Sequence, residues 1–145
     1  MSEANEGLGD VLNHITMLLG IVTREYGDPG ALSYSKMRLL GTLEEIQPAT
    51  QHALAQAMLV SDAAVSRTVS GLADEGLVTV EVDPDHARRR LVRLSPEGAA
   101  QFHASSTDYA AQLEKALTDR GFPYERYLRD SRALREILAA AAGRG

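Results

Sequence analysis

The sequence predicts a mainly α-helical fold interrupted by one small β-hairpin. Two observations carry this reading. Apolar residues recur at steps of three and four along most of the chain, which is the period of a helix face. Directly after Gly76 the period changes to two, over Val78, Val80 and Val82 and again over Arg90, Val92 and Leu94. No internal repeat or linker-like stretch divides the 145 residues, so a single domain spanning 1–145 is expected.

Each element has a local reason. Residues 1–7 read as a frayed tail. Leu8, Val11, Leu12, Ile15, Leu18, Leu19 and Val22 then place one apolar stripe on a first helix, over about 8–26. The stripe fits a helix packed on its own domain and equally a helix packed across a subunit interface. Gly27-Asp28-Pro29-Gly30 is a strong turn signal. Ser33 can cap a second helix, whose apolar face is Met37, Leu40 and Leu43. It should stop near Gln47-Pro48, because a residue before proline avoids the helical region. Thr50 can cap a short third helix from Gln51 to about Met58, and Leu59-Val60 makes a break. Ser61 can cap a fourth helix with Asp62 in its first turn, where a carboxylate suits the helix dipole. Val65, Val69 and Leu72 give this helix a buried edge, and Gly76 ends it in the left-handed conformation glycine accepts. Val78–Val82 reads as a half-buried strand. Asp83-Pro84-Asp85-His86-Ala87 reads as a turn, and the stretch from Arg90 to Leu94 as a second strand. Ser95-Pro96-Glu97 opens a fifth helix running to about Thr118. Gly121-Phe122-Pro123 breaks it, and a last helix follows from Tyr124 with Tyr127 or Leu128, then Ser131, Leu134 and Leu138 along one face. A helix-turn-helix followed at once by a hairpin is a winged helix.

Composition narrows the function. Lys plus Arg is 15 and Asp plus Glu is 20, a net charge of −5, so nucleic acid or anionic membrane is not coated by the whole surface. A local basic patch remains open, since binding depends on the field at the contact face. The chain has no cysteine, which removes disulfides, thiolate nucleophiles and cysteine zinc sites. His14, His52, His86 and His103 are scattered, with no pair at a helical ligand spacing, so neither a metal nor any other cofactor is expected. No apolar run approaches the roughly 18 residues of a membrane helix, and the polar Met1-Ser2-Glu3 start is unlike a signal peptide. A cytoplasmic protein without membrane contact is the expectation. No nucleophile elbow, phosphate loop or metal signature supports an enzyme.

From Leu32 to about Gly98 the chain resembles the MarR family of bacterial transcriptional regulators. The matching pieces are Leu32-Ser33, Leu54-Ala55, Val65-Ser66-Arg67, Leu72-Ala73-Asp74-Glu75-Gly76-Leu77-Val78 and Leu91-Val92-Arg93-Leu94-Ser95-Pro96-Glu97-Gly98. The resemblance implies a winged helix-turn-helix over about 33–94. It also implies N- and C-terminal dimerisation helices over about 8–26 and 95–141. Two positions depart from the family pattern. Leu59 stands where the motif turn usually has glycine; a non-glycine residue at positive φ is strained, so a different turn shape is open. In the wing, His86 and Ala87 occupy the positions of the usual Asp and first Arg. Arg88 holds the second Arg position, and Asp85 is the nearest candidate to replace the acid.

Arg88, Arg89, Arg90 and Arg93 fall in a stretch without an acid, a concentrated cation in an acidic protein. Arginine suits phosphate and a narrow minor groove because its fork is planar and weakly hydrated. On the fourth helix the outward positions are Ala63, Ala64, Ser66, Arg67 and Ser70. They are small enough for a major groove, with Arg67 the long donor for guanine. Ser61 can reach a phosphate or base edge, and Thr50 and Gln51 begin a helix whose N-terminus can hold a phosphate. His86 suggests a pH-dependent phosphate contact. The expected function is a sequence-specific double-stranded DNA-binding regulator: a homodimeric repressor on a pseudo-palindromic operator, released by a small ligand. The alternative is a winged-helix module for protein–protein contact. Relatives often take small phenolic or anionic ligands beside the dimer helices, which here selects His14, Met17, Tyr34 and Met37, with Arg24. Five Tyr and two Phe are the only aromatic side chains for such a lining.

Overall fold

The structure, a computed structural model, describes residues 3–25 and 32–143. In chain order the elements are α1 (Glu3–Glu25), α2 (Tyr34–Ile46), α3 (Gln51–Met58), α4 (Asp62–Asp74), β1 (Val78–Asp83), β2 (His86–Leu94), α5 (Pro96–Thr118) and α6 (Tyr124–Ala141). They form two compact units, Met1–Asp108 and Tyr109–Gly145. The first helix starts at Glu3, so most of the expected tail is helical. The turn read at Gly27–Gly30 lies outside the described residues.

The first unit is built on short-range caps. Ser33 Oγ accepts from the Lys36 amide at 3.3 Å, Thr50 Oγ1 from Ala53 at 3.1 Å, and Ser61 Oγ from Ala64 at 3.1 Å. Each satisfies an amide that the first helical turn leaves without a partner, a contribution of about 1 kcal/mol. The helices then close over Leu39, Leu40 and Leu43 of α2, Leu54 and Met58 of α3, and Val65, Val69 and Leu72 of α4. Leu77, Val78 and Val92 bring the base of the hairpin into the same core. Ala49 adds one residue to the sheet: it exchanges both backbone bonds with Val92, at 3.2 and 2.7 Å. Lys36 of α2 pairs with Glu75 beyond α4, and His103 of α5 with Glu44 of α2.

The junction of α4, β1 and α5 is closely packed. Gly76 takes φ 75°, the left-handed residue that ends α4. Ser95 Oγ donates to the Gly76 carbonyl at 2.6 Å and accepts from the Gly98 amide at 3.0 Å. Gly98 lies so close to Leu77 that a Cβ there would stand 1.9 Å from the Leu77 carbonyl oxygen. The Ser-Pro-Glu-Gly segment thus seats α5 directly on the root of the wing.

One open point is answered and two local expectations change. Leu59 keeps the left-handed turn, with φ 56° and ψ 44°, its amide bonding back to Ala55 and Gln56 and that of Val60 to Ala55. The backbone bonds impose the geometry that glycine would take freely, and the side chain is 69% exposed, so no packing offsets the strain. Leu59→Gly should therefore raise the unfolding free energy by about 1 kcal/mol in chemical denaturation, as a left-handed leucine costs slightly more than glycine's extra unfolded-state freedom. A loss of stability would contradict this account.

Second, β1 is not half-buried along its length. Val78 is buried, but Val80 and Val82 are 40% and 52% exposed. Alternation needs a layer beneath it, and beyond its base the two-stranded wing has none. Third, the expected five-residue turn shrinks to Pro84-Asp85, with Asp83 paired to His86. Because Val82 pairs with Arg90, the register shifts here, and Ala87, Arg88 and Arg89 stand on β2 between the two pairs.

In the second unit, Gly121 takes φ 69° between α5 and α6, and the Phe122 and Tyr127 rings meet edge-on at 5.5 Å. None of the described residues of α6 is buried.

Candidate nucleic-acid interface

The N-termini of α3 and α4 lie side by side. His52 of α3 and Asp62 of α4 tie them, with Nδ1 at 3.1 and 3.3 Å from the two carboxylate oxygens. Thr50 and Gln51 at the start of α3 are therefore near Ser61 and Asp62 at the start of α4. The hydroxyls of Thr50 and Ser61 accept as caps and keep their own protons free to donate. Along α4, Ala63, Ser66, Arg67 and Ser70 are exposed, whereas Ala64 is half-buried. Ala64 faces a shallow pocket and is not an outward position as the periodicity suggested. Arg67 has no hydrogen-bond or ion-pair partner among the described residues. Its guanidinium is the one long donor on a face of small side chains, which is the shape a major groove admits.

The wing supplies the charge. Arg88, Arg89 and Arg90 are exposed on β2. The acid beside them is Asp83, not Asp85. Asp83 is 8% exposed; it accepts the Asp85 amide at 2.9 Å and pairs with Arg89 at 3.8 Å. Aligning backwards from Leu94-Ser95 missed it because that fixes positions along β2 only, whereas the pairing of Val82 with Arg90 across the hairpin leaves the next residues, Asp83 and Arg89, as neighbours. The available signal was Asp83-Pro84-Asp85, since an Asp opening a turn commonly accepts from the amide two residues on. Arg90 Nη1 reaches the Ala87 carbonyl at 3.5 Å, Arg93 pairs with Glu81 at 3.8 Å, and Arg88 has no partner among the described residues. Arg88 is the wing arginine with its full donor set available, and Arg89 braces the tip. Arg88→Ala should accordingly weaken binding to all duplexes and lower the salt slope by about one unit. Arg89→Ala should act mainly on wing order. An anisotropy titration at several salt concentrations separates them; an unchanged slope in Arg88→Ala would reassign the contact.

The four residues selected for a small ligand lie on two helices, His14 and Met17 on α1 and Tyr34 and Met37 on α2. Tyr34 lines the shallow pocket, of about 100 Å³, together with Arg38, Met58, Val60, Ala64 and Thr68. Met37 is buried and absent from that lining. On α1, the His14 ring bonds the Asp10 carbonyl at 2.7 Å, and Met17 Sδ accepts from Asn13 at 3.8 Å. Arg38, which binds the Met58 carbonyl, was not anticipated.

Comparison with known proteins agrees with this geometry. Residues 32–89 match the MarR family model. No curated protein matches the chain. Among solved structures, the transcriptional regulator BldR from Sulfolobus solfataricus is similar at 23% identity and a TM-score of 0.78, covering 97% of this chain and 99% of that one. Apo MarR from E. coli follows at 21% and 0.74, covering 90% and 96%. The PcaV regulator from Streptomyces coelicolor, solved with its natural ligand, gives 16% and 0.74, covering 97% and 98%. At these identities the likeness is one of fold. Among the described residues no helix is long and apolar enough to cross a membrane. Residues 32–89 thus match the MarR family model, and the architecture as a whole is the winged helix-turn-helix fold of these regulators.

Proposed function

We propose that this protein is a sequence-specific double-stranded DNA-binding regulator that acts as a homodimer and represses until a small ligand releases it. The observation that carries the proposal is the pairing, in one compact unit, of an α4 face of small side chains around Arg67 with a wing bearing Arg88, Arg89 and Arg90. One element suits the major groove, the other the phosphates or minor groove beside it. Thr50, Gln51 and Ser61 add hydroxyl, amide and helix-end donors for backbone phosphates.

Dimerisation draws its support from apolar surface. On α1, Val11, Leu12, Ile15, Leu18, Leu19 and Ile21 are each about half exposed, and on α6 Leu134, Ile137 and Leu138 are exposed as well. Continuous stripes of this kind mark association surfaces. The helical segments outside the winged helix-turn-helix, α1 and α5–α6, take this role. A dimer at micromolar concentration is expected by light scattering; a monomer would remove this part of the proposal. Ligand release rests on the fold shared with PcaV and on the known physics of such devices: a ligand that favours one dimer geometry mis-sets the distance between recognition helices.

The test is fluorescence anisotropy with the duplex upstream of the protein's own coding sequence and a scrambled duplex, at two salt concentrations. Tight, salt-sensitive binding that prefers the native duplex is the expected result. No binding to either at low salt would overturn the proposal in favour of a protein-contact module.

A further inference from the structure

Asp62 is an awkward residue for a DNA-reading helix: it places a carboxylate, 66% exposed, in the first turn of α4. The helix dipole welcomes it, but a phosphate backbone at the same end would repel it. His52 resolves the conflict. Its ring comes from the neighbouring helix, is itself 67% exposed, and lies against both Asp62 oxygens through Nδ1. Nε2 has no partner among the described residues. A carboxylate on Nδ1 fixes the proton there, so Nε2 can donate outward only when the ring carries a second proton and a charge.

We propose that His52, oriented by Asp62, is a proton-linked phosphate contact between the N-termini of α3 and α4. The inference rests on the DNA-binding reading above and adds a residue to it. With the ring protonated, the pair is neutral as a whole and presents an N–H donor to a phosphate oxygen. With the ring neutral, Nε2 presents a lone pair and the Asp62 charge is uncompensated. Binding therefore takes up a proton and tightens as pH falls.

The elements packed against α3 are α4, α2 and β2. From α4, Asp62 is the charged group in contact with His52, and Arg67 follows five residues on. The charges of α2 are committed elsewhere: Lys36 to Glu75, Arg38 to the Met58 carbonyl and Glu44 to His103, with Glu45 exposed. From β2 come the wing arginines, Arg88, Arg89 and Arg90. The other histidine near the expected interface is His86, at the wing tip.

The experiment measures affinity of the full chain for the upstream duplex at pH 6 and pH 8, each at two salt concentrations. Wild type should bind about tenfold tighter at pH 6, the worth of one charge-assisted hydrogen bond. His52→Gln should erase that ratio and lower the salt slope at pH 6 by about one unit. A ratio that persists in His86→Gln while vanishing in His52→Gln assigns the proton to His52; loss of the ratio in His86→Gln alone would assign it to the wing and overturn the proposal. His52→Arg, a permanent cation, should bind at pH 8 as wild type does at pH 6. A His52→Gln protein that loses affinity equally at both pH values, with the salt slope unchanged, would reduce the pair to an interhelical tie and overturn the proposal. So would pH-independent binding by wild type, which leaves the DNA-binding reading intact. Wild type that binds no duplex at any salt overturns both.

Discussion

Gly98→Ala is expected to cost at least about 3 kcal/mol of stability, a large fraction of the 5–15 kcal/mol typical of a domain. The added methyl would meet the Leu77 carbonyl oxygen at 1.9 Å, where something must shift. Neither side yields easily. The carbonyl accepts the Ser95 amide at 3.1 Å, and Ser95 is held in turn by Gly76. Relief requires α5 to lift off the root of the wing, which breaks the Ser95 cap and opens the core at Leu77 and Val78. Thermal unfolding should fall by about 10 °C for a chain of this size. Gly71→Ala is the matched control: a Cβ there meets only Lys36 Cε, at 3.9 Å, within a helix. It should be neutral or stabilising by about 0.5–1 kcal/mol. Equal behaviour of the two variants by scanning calorimetry would show that the close approach is not what keeps position 98 a glycine.

Arg67→Ala should weaken binding to the preferred duplex by about 1–3 kcal/mol, roughly five- to 150-fold, and relax preference at one base position. The side chain is exposed and without a partner among the described residues, so the free protein should keep its stability to within about 0.5 kcal/mol. This separates a reading residue from a structural one. Arg67→Lys should recover charge but not discrimination, because an ammonium cannot make the planar two-point contact with a guanine edge. A competition titration over single-base variants of the duplex checks both statements. Uniform weakening over all variants would place Arg67 on a phosphate instead.

What was legible in the sequence was local. Ser33, Thr50 and Ser61 cap the helices they were expected to cap because a hydroxyl and an amide three residues on are adjacent in any chain that turns there. The change of period at Gly76 located the hairpin for the same reason. Illegible features depend on what a distant segment does. Val80 and Val82 alternate like covered residues, yet the wing runs past the helices that would cover them. Asp85 was preferred to Asp83 as the wing acid because the choice depends on the pairing across the hairpin, where Val82 opposite Arg90 leaves Asp83 beside Arg89. Leu59 keeps the left-handed turn because bonds to Ala55 and Gln56 hold its backbone there. The Ser-Pro-Glu-Gly motif was recognised as a resemblance, and only the approach of Leu77 gives its glycine a physical cause. The His52–Asp62 contact joins residues ten apart through the fold of two helices, which no spacing rule announces.

The central claim is that α4 and the wing together read a defined DNA site. Hydroxyl-radical footprinting on the upstream duplex tests it most directly. The account predicts two protected half-sites centred about one helical turn, or a small multiple of it, apart, as two copies related by a two-fold axis require. Arg88→Ala should weaken protection at the flanks the wings reach. Protection spread evenly along the duplex, or none at concentrations where the protein is folded, would contradict the account.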